Sequence, residues 1–199
     1  MQGLIAVVIA YLLGGIPFGF LLVKLTRGTD VRESGSGNIG ATNVLRTTGR
    51  AAGLATLALD IAKGFVAVWL AARLTDDAPE WTSLAALAVM AGHAFPIFLK
   101  FQGGKAVATF IGAFAYLTPL PLAAVLLLFA VTVAVTRYIS AASILAAATF
   151  PFGVWIILHP PVQVTIAAFI AGAFIVYRHK SNWLRLRADT ENVFSWGRK

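Results

Sequence analysis

The chain has 199 residues, 59% hydrophobic and only 12% charged, with a formal net charge of +8 and no cysteine. Soluble domains carry about 25% charged residues, so a water-soluble globule is excluded, as are disulfides, thiolate metal sites and a cysteine nucleophile. The apolar residues fall in runs of roughly 17 to 24, long enough to cross a bilayer core of about 30 Å as helices.

Length sets one membrane domain, residues 1–199, as the expectation. The fold class expected is all-α, with about seven spans at 3–25, 51–73, 82–99, 105–118, 120–136, 139–158 and 162–178. No Lys or Arg precedes the first run, and Lys24 and Arg27 follow it. That order is the reverse of a signal peptide and predicts a retained span with its N-terminus outside. In the second span Asp60 and Lys63 stand at i, i+3. Intramembrane charges are costly and usually paired, so a structural ion pair is expected, with a proton path as the second reading. His93 lies several residues inside the third span and reads as a hydrogen-bonded structural histidine. The fourth span is short, bounded by Gly103-Gly104 and Pro119, and needs tilt or local thinning to cross.

Charge decides the orientation. With seven spans, 14 of the 16 Lys and Arg lie on the inner side, while Arg73 is outer and Lys63 is within a span. Asp76, Asp77 and Glu80 share one outer loop. This positive-inside pattern puts the C-terminus in the cytoplasm. The basic excess then reads as orientation and attraction to anionic lipid heads, with no nucleic-acid partner. Three polar segments, 27–50, 99–105 and 177–199, face the cytoplasm.

The first segment holds Gly35-Ser36-Gly37-Asn38-Ile39-Gly40-Ala41-Thr42-Asn43. Glycines let backbone N–H groups approach a ligand, and a helix starting near Ala41 would aim further donors at the same spot. The pattern suits phosphate, with Ser36, Gly37, Asn38, Thr42 and Asn43 as its groups. Arg46, one turn beyond Thr42 and Asn43, can add a bidentate guanidinium. The G-x-G-x-x-G spacing lacks the βαβ unit of a dinucleotide fold. In the second segment, Gly103-Gly104-Lys105 at a helix start combines backbone donors with an ammonium, without the full P-loop pattern. In the third, His179 and Asn182 stand at i, i+3 on one face. His179 is placed to move a proton or to donate to phosphate. Trp183, Leu184 and Leu186 among basic residues suggest an interfacial stretch. No H-x4-D base, no metal-ligand cluster and no G-x-S-x-G elbow is present.

Taken together, three stretches resemble one family, the bacterial acyl-phosphate-dependent glycerol-3-phosphate acyltransferases. They are Gly35–Val44, Gly92-His93 with Phe101–Thr109, and Arg178–Arg185. Leu59-Asp60 with Lys63-Gly64, and Gly14 with Ile16-Pro17-Phe18-Gly19, look like the same family. Asp189 stands before Thr190-Glu191 where the family pattern usually has Gly. The resemblance implies a multi-pass enzyme of the bacterial inner membrane with a cytoplasmic site, needing no cofactor or metal, and taken here as a monomer. Its implied reaction moves a fatty acyl group from acyl phosphate to the 1-hydroxyl of sn-glycerol 3-phosphate. The activated mixed anhydride makes an acyl-enzyme unnecessary, so orientation and charge stabilisation would carry the rate. Ser36, Arg46, Lys105, His179 and Asn182 are the expected catalytic residues, with Gly37, Asn38, Thr42, Asn43, Gly103 and Gly104 binding phosphate. The alternative is a transporter for a phosphorylated solute, against which stand the clustering of polar groups at one face and the lack of a repeated Gly-rich motif.

Overall fold

The computed structural model describes residues 1–195; Arg198 and Lys199, counted above among the inner charges, lie outside the described residues. The described residues are helical, without a strand. They divide into two compact units, up to Tyr116 and from Leu117 to Ser195.

The first unit contains α1 (Gln2–Gly15), α2 (Phe18–Arg27), α3 (Ala41–Thr48), α4 (Arg50–Leu74), α5 (Pro79–Ala94) and α6 (Val107–Leu117). Its core is made by close approach of small residues. Gly14 of α1 lies against the Val89 carbonyl of α5, and Gly92 of α5 lies against the Tyr11 carbonyl of α1. A Cβ at either position would collide with backbone. Gly64 of α4 and Gly112 of α6 make the same reciprocal contact with the carbonyls of Thr109 and Ile61. Lipid offers no hydrophobic driving force between helices, so backbone-to-backbone packing through glycine is how such helices gain contact. In the second unit, α7 (Pro119–Thr136) packs on α8 (Ile139–Leu158), and α8 on α9 (Val162–Arg178). Pro151 removes the N–H that would pair with the Ala147 carbonyl, and Gly172 of α9 approaches that carbonyl. The chain then bends by 53° at His179 into α10 (Lys180–Arg187).

Five helical stretches are long and apolar enough to cross a membrane, and a sixth if the bent α9–α10 pair is counted. The stretch expected at 105–118 forms the 11-residue α6, too short for a full crossing by length alone. The first span is not one continuous helix. It breaks at Ile16-Pro17, because proline cannot continue the α1 hydrogen-bond ladder. The third span runs over Pro79–Leu99, its α-helix closing at Ala94 before a 3-10 turn at Ile97–Leu99.

Candidate active site

The loop from Ser34 to Asn43 is folded around one side chain. Asn43 is 2% exposed. Its Nδ2 donates to the carbonyls of Val31, Ser34 and Asn38 at 3.2, 3.0 and 2.9 Å, and its Oδ1 accepts the Ser36 N–H at 2.9 Å. Gly35 sits at φ 61° with its α-carbon against Asn43 Oδ1, a position only glycine fits. Asn38 Oδ1 accepts the Gly40 N–H at 2.8 Å, a local turn that leads into α3, which starts at Ala41 as expected. Asn43 therefore uses all its polar atoms to hold the loop and has none left for a phosphate. The Ser36 hydroxyl and the Arg46 guanidinium are exposed and lack a hydrogen-bond partner among the described residues. Gly37 is exposed and Thr42 half-buried beside them.

Before this loop, Arg32 grips Asp30 with its Nε at 3.0 Å and Nη2 at 2.6 Å, and stacks over the Phe20 ring at 5.3 Å. Hydrogen bonds from Arg32 hold the Asp30 carboxyl below its ordinary 3.8, with partial burial pulling the other way. An open cleft of about 590 Å³ is lined by Arg32 and Phe20 on one side and Lys100 and Phe98 on the other. Ser36, Arg46 and Lys105 do not line it.

The second segment is built differently. Lys100, Phe101 and Ala106 all have φ between 52° and 63°, the left-handed region where non-glycine residues are strained. Phe101 N–H donates to the Pro96 carbonyl at 2.9 Å, Gly103 N–H to Ala94 at 3.2 Å and Gly104 N–H to His93 at 3.1 Å. The last carbonyls of a helix lack intrahelical partners, and here the loop supplies them for α5. The Gly103 and Gly104 amides, expected to face a phosphate, are thus already donating to backbone. Their glycine character serves packing instead. A Cβ at Gly104 would collide with His93 Nε2, and one at Gly103 with the His93 carbonyl. Lys105 follows, half-buried.

A buried polar chain runs from this loop across the unit. His93 Nδ1 lies 3.1 Å from Thr109 Oγ1 and 3.7 Å from Asp60 Oδ1. Asp60 Oδ1 is 2.8 Å from Lys63 Nζ, as the i, i+3 spacing predicts, and both side chains are 3% exposed. Lys63 Nζ also donates to the Ile16 carbonyl at 2.8 Å, at the break between α1 and α2. Backbone released by a broken helix inside a membrane must be satisfied by neighbouring side chains, and Lys63 does so here. Asp60 in turn neutralises the lysine.

In the second unit, His179 and Asn182 are both buried, at 3% and 4% exposure. The Ile175 carbonyl accepts from His179 Nδ1 at 2.7 Å. A carbonyl cannot donate, so Nδ1 carries a proton. Asn182 Nδ2 donates to Glu191 Oε1 at 2.9 Å, and Arg185 Nε to Glu191 Oε2 at 2.8 Å. Glu191 was not singled out as a site residue. Only the turn between it and Asn182 brings the two together. Asp189 makes that turn at φ 54°, a conformation glycine adopts freely and Asp tolerates better than most residues. The tail therefore turns without the glycine.

Comparison with known proteins gives concordant results. Residues 4–189 match the family model described as glycerol-3-phosphate acyltransferase. The chain is 46% identical over 192 residues to the glycerol-3-phosphate acyltransferase of Geotalea daltonii, covering 96% of this chain and 97% of that one. It is 47% identical to the enzyme of the same name from Geobacter sulfurreducens, covering 98% of each. Among solved structures it is similar to PlsY, an integral membrane glycerol 3-phosphate acyltransferase. The glycerol 3-phosphate form aligns with a TM-score of 0.92 at 37% identity, covering 98% of this chain and 96% of that one. The lysophosphatidic acid form aligns at 0.89 and 34% identity, covering 98% and 97%.

Proposed function

The chain belongs to the glycerol-3-phosphate acyltransferase family, and from that premise we propose that its acyl donor is an acyl phosphate, attacked directly by the glycerol hydroxyl. It is a membrane acyltransferase that acts on glycerol 3-phosphate and forms lysophosphatidic acid. In the proposed step the 1-hydroxyl oxygen bonds to the acyl carbon, and the bond from that carbon to the phosphate oxygen breaks. Inorganic phosphate leaves. The hydroxyl proton passes to a substrate phosphate or to His179 Nε2.

The observation that carries this reading is the first loop. Asn43 holds the backbone in place, and the Ser36 hydroxyl and Arg46 guanidinium stand exposed on that fixed frame. A preorganised donor set costs no reorganisation when the anion arrives. Arg46 and Ser36, with Gly37, Asn38 and Thr42, hold glycerol 3-phosphate, and Lys105 stabilises the departing phosphate. Asn182, held by Glu191, offers its carboxamide beside His179. Direct attack is supported by the chemistry of the donor, whose anhydride is already activated.

The charge distribution supports seven spans, the N-terminus outside, the C-terminus inside and a site on the cytoplasmic face of the inner membrane, with 14 of 16 basic residues then inside. The short α6 fits this count as a tilted or locally thinned crossing. We take the enzyme as a monomer among membrane lipids, without a cofactor.

The test is an assay of purified protein with radiolabelled glycerol 3-phosphate and three donors: palmitoyl phosphate, palmitoyl-CoA and the acyl carrier protein thioester. Product from acyl phosphate alone is expected. Product from a thioester overturns the donor. A trapped acyl group on Ser36 overturns direct attack.

A further inference from the structure

We propose that His93, held in place by Asp60 and Thr109, is the positioning residue that sets Lys105 for acyl transfer. The inference rests on the reading of Lys105 given above and goes beyond it, since His93 itself touches no reacting atom. Three observations carry it.

The stretch from Gly103 to Thr109 is anchored at both ends on His93. At its start the Gly104 N–H donates to the His93 carbonyl at 3.1 Å, and the Gly104 α-carbon sits against His93 Nε2. At its end Thr109 Oγ1 lies 3.1 Å from His93 Nδ1. Lys105 is inside this short closed path, next to Gly104. Ala106, the residue after it, is held at φ 61°, a conformation that persists only where surrounding contacts over-determine it.

The histidine is not free to shift. Asp60 Oδ1 faces its Nδ1 at 3.7 Å, and Asp60 is fixed by Lys63 at 2.8 Å. His93, Asp60, Lys63 and Thr109 are at most 5% exposed. Removing two charges from water is costly, and a well-packed apolar pair often does as well for stability. Lys63 has local work in capping Ile16, and that does not require Asp60 to face a histidine. Its placement between Lys63 and His93 ties the loop to the rigid α4.

The test is a double-mutant cycle on purified protein, read with palmitoyl phosphate and radiolabelled glycerol 3-phosphate. His93→Ala is expected to lower kcat by about 10- to 100-fold, since misplacement by an ångström has that effect, with KM for acyl phosphate changed by no more than about threefold. In a Lys105→Ala background the same change lowers kcat by no more than about threefold further, because the residue acts through the lysine already lost. Thr109→Ser keeps activity within about twofold and Thr109→Val loses about tenfold, a pair that carries the test if His93→Ala does not fold. Equal factors for His93→Ala with and without Lys105 overturn the proposal, as does full kcat in Thr109→Val. Hydrogen exchange at the Gly103, Gly104 and Lys105 amides reads the clamp without turnover. It is expected to speed up in His93→Ala while α6 amides hold, and unchanged exchange overturns the clamp. If wild type uses a thioester instead, the donor reading fails while the cycle, run with that donor, still reports on His93 and Lys105.

Discussion

Two loops of the first unit share a composition of glycine, polar residues and a nearby cation, yet they are held by opposite means. The loop at 34–43 is organised from within: one buried asparagine satisfies its backbone through four hydrogen bonds. The loop at 100–106 is organised from outside: its amides pair with the end of α5, and a buried histidine fills the space beneath its glycines. In the first, a side chain replaces backbone pairing and the Ser36 hydroxyl and Arg46 guanidinium are left on the outer surface. In the second, backbone pairing takes the Gly103 and Gly104 amides, and Lys105 follows half-buried. Gly-rich polar sequence therefore does not by itself mean free backbone donors.

Asn43→Asp breaks the comparison most severely. The substitution keeps shape and the acceptor for Ser36 N–H but removes the donor amide and sets a carboxylate against three carbonyl oxygens. An uncompensated buried charge of this kind costs about 3–5 kcal/mol. Turnover is expected to fall by at least about 10²-fold through loss of the Ser36 and Arg46 geometry. Initial rates at saturating substrates check it, and a variant within threefold of wild type shows that the loop does not depend on its central amide.

Gly104→Ala sharpens the other side. The added methyl meets a packed imidazole rather than solvent, so either His93 or the loop must move. Because Gly104 adjoins Lys105, kcat should drop by about tenfold or more, with a smaller effect on global stability than Asn43→Asp. The matched control is Gly28→Ala. Nothing lies within 4 Å of a Cβ there, although φ is 71°, so only backbone strain is added. Activity in Gly104→Ala equal to that control means the glycine is not needed for close approach.

Much of this was legible in sequence, for reasons that are local. The start of α3 at Ala41 and the Asp60–Lys63 pair follow from spacing along one helix. The break at Ile16-Pro17 has its local signal in the proline, which lies inside an otherwise continuous apolar run. What was not legible is non-local. Lys63 reaches back 47 residues to Ile16, and Thr109 meets His93 across 16. No periodicity encodes such pairs. The same holds for Asn43: its residue type suits a ligand contact and a loop hub equally, and only burial separates the two. Glu191 is not among the expected site residues, and Asp189 stands two residues before it where the family pattern usually has Gly. The αL tolerance of Asp was the overlooked signal.

The smallest effect belongs to the ion pair ahead of the first loop, and it contrasts with the buried pair behind the second. Asp30 and Arg32 are partly exposed, with side chains 20% and 32% accessible. A pair in that setting contributes no more than about 1 kcal/mol. Asp30→Asn keeps an oxygen to accept the Arg32 N–H, and Arg32 keeps its stack on Phe20. Melting in detergent, followed by tryptophan fluorescence, should therefore fall by only a few degrees at pH 7. The pH dependence has a definite sign. The folded carboxyl is held below 3.8 by hydrogen bonds from Arg32, so its contribution is full above the unfolded value. It is lost as pH falls through the folded value. The gap in Tm between wild type and Asp30→Asn should stay constant from pH 7 to about 5 and close below about 4. A gap that grows on acidification would mean that the Arg32 fork is not what fixes the Asp30 charge.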